Sequence, residues 1–172
     1  LSSRSDVIVF ETAPLEQDME VIGPITVTLY ASSNRTDTDF TAKLIDVYPP
    51  SAEWPSGFDL NITDAIVRGR YRATRDHAEL LTPGKIYPFT IDPFPTANVF
   101  KKGHRIRVDV SSSNFPRFDR NTNQMIAGSD QPRTVTCLTD SGVRGWFCGL
   151  VSGRCRHAIG VGSPKGRRGR VD

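Results

Sequence analysis

The chain has 172 residues, 37% of them hydrophobic, which suffices for a core and excludes wholesale disorder; the length suits one domain with or without a tail. No apolar run approaches the roughly 18 residues that cross a bilayer, so no membrane partner is expected. The net charge of +3 is unevenly placed: residues 1–136 hold 15 Lys and Arg against 17 Asp and Glu, and residues 137–172 hold 7 against 2, so a nucleic-acid surface is not expected on the body.

Period-two alternation dominates the body, and no long helical stretch interrupts it. Val7 and Val9 suggest a flanking strand. Ile25, Val27, Leu29 and Ala31 share one face, with Thr26, Thr28, Tyr30 and Ser32 on the other, which predicts a half-buried strand. Phe40, Ala42 and Leu44 oppose Thr41 and Lys43, and Ile45 and Val47 carry burial to the second face. Ile62, Ala65, Ile66 and Val67 run into Arg68, Arg70 and Arg72, so that strand leaves the core at its far end. Tyr87, Phe89 and Ile91 form a short aromatic strand. Residues 96–102 read as one helical turn, capped by Thr96 and ended by a left-handed Gly103. Ile106, Val108 and Val110 alternate cleanly with Arg105, Arg107 and Asp109, and residues 134–136 suggest a last strand. Gly23-Pro24, Pro49-Pro50, Pro55-Ser56-Gly57 and Pro83-Gly84 punctuate these runs. Short strands with turns between them predict an all-β sandwich, a jelly roll with Greek-key connections.

Composition changes after Thr136. Eight of the fourteen glycines lie beyond it, as do all three cysteines, Cys137, Cys148 and Cys155. A disulfide-stapled body is thereby excluded, and the cysteine spacings, with His157 after the last, match no zinc pattern. The expected division is a sandwich over 1–136 and a poorly ordered Gly/Arg/Cys-rich tail over 137–172. A shifted reading frame or a junction near Cys137 would account for the change. The opening residues show no signal-peptide core and read as the start of an excised piece; they leave the compartment open, with a bacterial cytoplasm as the default.

Chemistry is hard to find. The Gly-x-Ser-x-Gly elbow of a serine hydrolase is absent, although Ser129, Ser141, Ser152 and Ser163 each adjoin a glycine. His104 opens the sharpest strand and reads as a turn-edge residue satisfied by backbone; His77 reads as solvated. Asp37, Asp39 and Asp46 suggest a calcium site or an acid pair, but in residues 36–39 short side chains bonding their own backbone in a turn before a strand are the plainer reading. No phosphate-binding loop occurs, and no metal or cofactor is expected. One stretch stands apart. Residues 111–121 read Ser-Ser-Ser-Asn-Phe-Pro-Arg-Phe-Asp-Arg-Asn, and two Phe and two Arg in a polar loop are residue types that anchor interfaces. The plain alternative places Phe115 in the core and Arg117, Asp119 and Arg120 in local ion pairs.

Three segments carry a resemblance. Residues 38–47 (Thr-Asp-Phe-Thr-Ala-Lys-Leu-Ile-Asp-Val), 62–72 (Ile-Thr-Asp-Ala-Ile-Val-Arg-Gly-Arg-Tyr-Arg) and 100–108 (Phe-Lys-Lys-Gly-His-Arg-Ile-Arg-Val) with the 111–121 loop resemble the C-terminal domain of the X-Pro dipeptidyl-peptidase and cocaine-esterase-like (CocE/NonD) serine hydrolases. The resemblance covers residues 6–136 in the family's order. It implies a jelly roll similar to galactose-binding domains, packed as a non-catalytic accessory module on an α/β-hydrolase domain that supplies the whole Ser-His-Asp triad. No catalytic residue is carried over, and no activity is expected of the chain alone. Phe115, Arg117, Phe118 and Arg120 are the candidates for the interdomain surface. The tail departs from the family, whose members close with a further strand; an edge left open there suggests a homodimer. The alternative from another class is a carbohydrate-binding module that stacks a sugar on Trp54. A third reading takes the Arg-rich tail as a nucleic-acid binder.

Overall fold

A computed structural model describes residues 6–123 together with Cys137 and Leu138. Among the described residues there are nine strands and one short 3₁₀ turn: β1 (Ile8–Glu11), β2 (Met19–Gly23), β3 (Val27–Ser33), β4 (Asp39–Tyr48), β5 (Phe58–Arg68), the turn Gly69–Tyr71, β6 (Tyr87–Ile91), β7 (Thr96–Phe100), β8 (Arg105–Ser111) and β9 (Cys137–Leu138). They form a four-stranded sheet in the order β1-β8-β4-β5, a pair β2-β7, and a three-stranded sheet β6-β3-β9. Every pairing is antiparallel, and β1 meets β8, β2 meets β7, β3 meets β6 and β4 meets β5. That nesting is one long antiparallel ribbon folded over on itself, the jelly roll expected from the strand pattern.

The two small sheets lie side by side on one face of the large one. At one end Val27, Leu29 and Ala31 of β3, with Phe89 and Ile91 of β6, pack on Phe40, Ala42 and Val110. The rings of Phe40 and Phe89 sit 4.6 Å apart, tilted by 55°. At the other end Val21 of β2 and Phe100 of β7 close over Leu44, with Leu15, Ile62 and Ile106 at the margin. Alternation in β3 and β4 thus builds the inner layer, because every second side chain of a strand points to the same face. A register shift falls beside Leu44 and Ile45, where β5 holds Ile62 as an extra residue. Such a bulge bends its strand and sharpens the local twist.

Residues 96–102 are not helical. Thr96–Phe100 is a strand pairing with β2, its outward Ala97 and Val99 alternating with Thr96, Asn98 and a buried Phe100. An inward asparagine hides the period from a reading by hydrophobicity. Gly103 does adopt the left-handed conformation, with φ of 85°, but it turns the chain from β7 to β8, with the His104 amide donating to the Lys101 carbonyl at 3.0 Å. β2 is a strand with no forewarning in the pattern, and β5 starts at Phe58, ahead of the expected Ile62. The expected strand at 134–136, the character of the tail and the proposed junction lie outside the described residues, apart from the Cys137–Leu138 pairing with Ser33 and Ser32.

Phe89 is fully buried between the layers. Phe89→Ala is expected to cost about 3–5 kcal/mol of unfolding free energy, read as a lower denaturant midpoint for the chain.

Candidate functional site

The loop that leaves β8 crosses the outer face of the large sheet, and its path is fixed by buried carboxylates. Asp37 and Asp39 precede and open β4, and both are almost wholly buried. A carboxylate stripped of water needs donors inside the protein. Arg68 supplies two to Asp39, its Nε donating to Oδ1 at 3.0 Å and Nη2 to Oδ2 at 3.1 Å. That bond to Asp39 holds the Arg68 proton more tightly than usual. Arg70 supplies two to Asp37, from its backbone amide and from Nη1, each at 2.9 Å. Asn121 Nδ2 then donates to both acids, to Asp37 Oδ2 at 3.0 Å and to Asp39 Oδ1 at 2.6 Å. Gly69 lets the chain pass, since a Cβ there would lie 2.9 Å from the Thr38 carbonyl, whose oxygen takes the Gly69 amide at 2.7 Å.

A third buried acid, Asp64 of β5, holds the other end of the loop. Arg117 Nε lies 2.8 Å from its Oδ1, and Asn114 Nδ2 donates to its Oδ2 at 3.0 Å. Thr41 and Ser111 share a hydroxyl contact of 2.8 Å at the loop's root. Between these anchors the Phe115-Pro116 bond is cis, and Phe115 stands 56% exposed with the Arg120 guanidinium over its ring at 4.4 Å. Arg117 lies 5.7 Å from the Phe118 ring centre. The four candidate surface residues therefore gather on one pinned loop. Phe115 is outside the core, and Arg117 pairs with Asp64 rather than with Asp119.

Against this geometry the comparisons are decisive. Residues 1–146 match the model of the X-Pro dipeptidyl-peptidase C-terminal non-catalytic domain. The chain belongs to that family. Cocaine esterase of Rhodococcus sp. (strain MB1 Bresler) is 46% identical over 123 residues, covering 72% of this chain and 20% of that protein. Among solved structures, an aminopeptidase from a marine sediment Thaumarchaeota archaeon is 37% identical with a TM-score of 0.69, over 73% of this chain and 21% of that one. An α-amino acid ester hydrolase is 38% identical with a TM-score of 0.67, over 71% of this chain and 20% of that one. The chain thus spans about a fifth of the length of these relatives.

In this family member the remaining candidates have other partners than the sequence suggests. Asp37 and Asp39 do not cap their own turn; they bind arginines about thirty residues further on. His104 is satisfied not by backbone but by Asp46, with Nδ1 2.9 Å from Oδ1, and its ring packs 4.2 Å from that of Tyr48. His77 is exposed as expected. Trp54 is 40% exposed and stacks on Phe58 with ring centres 4.6 Å apart. Among the described residues no three His, Cys, Asp or Glu side chains converge on a metal-sized site.

One acid is poorly served. Asp109 is buried on the outer face of β8, and neither carboxylate oxygen has a hydrogen bond among the described residues. Arg107 Nε comes within 3.1 Å of Oδ1 outside hydrogen-bond geometry, and its Nη2 is committed to Asp59 at 2.6 Å. Burial raises the Asp109 carboxyl above its ordinary value, and the nearby Arg107 only partly opposes this. A folded-state pKa raised above the unfolded one means that folding takes up a proton, so stability falls as pH rises between the two values. Asp109→Asn is therefore expected to raise the thermal midpoint at neutral pH, with the gain vanishing below about pH 4 where both states are protonated. Calorimetry of the two proteins across pH reads this out.

Breaking the clamp works the other way. Asn121→Ala removes the shared donor of Asp37 and Asp39 and is expected to cost about 1–3 kcal/mol in denaturant unfolding, since two buried acceptors lose a partner.

Proposed function

We propose that this chain acts as the accessory module of a serine hydrolase cleaving esters, amides or X-Pro peptides, and that it braces and covers an α/β-hydrolase domain of the same polypeptide. Phe115, Arg117, Phe118 and Arg120 form part of the surface that meets that domain. The observation that carries the reading is the exposure of Phe115 on a loop tied down at Asp37, Asp39 and Asp64. A pinned loop that holds an aromatic ring in water, with an arginine stacked beside it, presents two residue types enriched at protein interfaces. Burying that ring against a partner would yield roughly 1.5–3 kcal/mol. A domain of this kind excludes water and fixes substrate geometry without supplying a reacting group.

The test compares two settings. In a hydrolase carrying this domain, Phe115→Ala is expected to shorten the half-life of activity on heating, while in the isolated chain it shifts the unfolding free energy by less than about 0.5 kcal/mol. Equal losses in both settings would make Phe115 a residue of the domain's own stability; no loss in either would place it in solvent. The isolated chain is expected to turn over neither p-nitrophenyl esters nor Xaa-Pro anilides. Activity that survives repurification would overturn the accessory reading.

A second copy of the chain is a further candidate partner, because β9 pairs with β3 only at Ser32 and Ser33, and along residues 27–31 the side of β3 facing away from β6 has no strand beside it among the described residues. A monomeric mass by solution scattering at high concentration would remove it. Sugar binding through Trp54 draws less support, since Phe58 takes one face of the indole.

A further inference from the structure

β5 is the outer strand of the four-stranded sheet, and β6 is the outer strand of the three-stranded one. Where these two edges come together a groove of about 310 Å³ opens, lined by residues 66–68 of β5, Thr90 of β6, Asp92 beyond it, Tyr71 of the 3₁₀ turn and residues 72–75 after it. Its size falls at the low end of ordinary ligand sites. Three arginines reach it, Arg68, Arg72 and Arg75, against one acid, Asp92. The first two are spoken for. Arg68 is bidentate on Asp39, and Arg72 bonds the Glu79 carboxylate, the Glu79 carbonyl at 2.6 Å and the Gly69 carbonyl at 3.1 Å, with its guanidinium 4.3 Å from the Tyr87 ring centre. Asp92 takes the Thr26 hydroxyl at 3.0 Å. Among the described residues Arg75 has no hydrogen-bond or ion-pair partner.

We propose that this groove binds a carboxylate side chain carried on an extended peptide segment, with Arg75 as the recognising cation. A guanidinium matches a carboxylate with two parallel hydrogen bonds. One uncommitted arginine beside an aspartate suits a single negative charge better than a dianionic phosphate. The peptide follows from the walls: among the described residues β5 and β6 each have a strand on one side only, and an extended chain lying along such an edge gains main-chain hydrogen bonds in addition to its side-chain contact. The groove shares Arg68 with the clamp that holds the Phe115 loop, but Arg75 is no part of that clamp, and the site stands whether or not the loop meets a catalytic domain.

The test is an amide chemical-shift titration of the full chain with three probes: a terminally blocked tetrapeptide carrying one glutamate, its glutamine twin, and acetate. The glutamate peptide is expected to shift the amides of residues 66–75 and of Thr90, and to bind more tightly than either of the other probes. Arg75→Gln, a change at an exposed position, is expected to weaken the glutamate peptide about two- to fivefold and to leave the glutamine peptide unchanged. Asp92→Asn is expected to strengthen it, and added salt to weaken it. Equal binding of the twin peptides would remove the carboxylate, and acetate matching the peptide would remove the strand edges. The absence of shifts at millimolar peptide would overturn the site altogether.

Discussion

Four carboxylates that have lost their water hold this domain in shape. Asp37, Asp39, Asp46 and Asp64 are buried, and each is met by groups from a distant part of the chain: Arg70 and Asn121, Arg68 and Asn121, His104, and Arg117 with Asn114. An apolar contact tolerates sliding, but a buried carboxyl group needs donors at fixed distance and direction. Removing one side of such a pair costs about 3–5 kcal/mol. The core therefore provides cohesion, while the acids decide where the loops go. The path of residues 111–123 over the outer sheet face is a consequence of where β4 and β5 carry their aspartates.

The distinction explains what could be read from the residues. β3, β4, β6 and β8 announce themselves because their inward positions are apolar and their neighbours polar, and the nested pairing then follows from the fold type. β7 escaped because Asn98 points inward, and β2 because an exposed Ile22 beside the buried Val21 breaks the alternation. The acids escaped for a different reason. Thr36-Asp37-Thr38-Asp39 has the composition of a local turn, and only the fold brings Arg68, Arg70 and Asn121 to it. His104 looked like a turn residue for the same cause, its partner Asp46 lying across the β4–β8 pairing. Phe115, Arg117, Phe118 and Arg120 were legible as a group through composition and resemblance. That Phe115 faces out was not, because its exposure is set by the two anchors at either end of the loop.

A sandwich with all its regular structure devoted to two packed layers leaves its ends and edges for recognition. In this molecule those places differ in kind. The 111–123 loop is a pinned aromatic and cationic surface, the face proposed above to meet a neighbouring domain. The seam between β5 and β6 is a shallow trough with one uncommitted arginine, the place proposed for a segment that comes and goes.

The nested ribbon also sets a timetable for biosynthesis. Ile8 of β1 is paired with Val110 of β8, so the first of these strands to leave the ribosome waits for nearly the last of them. At about 5–20 residues per second the intervening stretch takes roughly 5–20 s to emerge. For that interval Ile8, Val9 and Phe10 have no ladder to join, and the nascent chain depends on whatever shelters them, whether ribosome surface, chaperone or a domain already made.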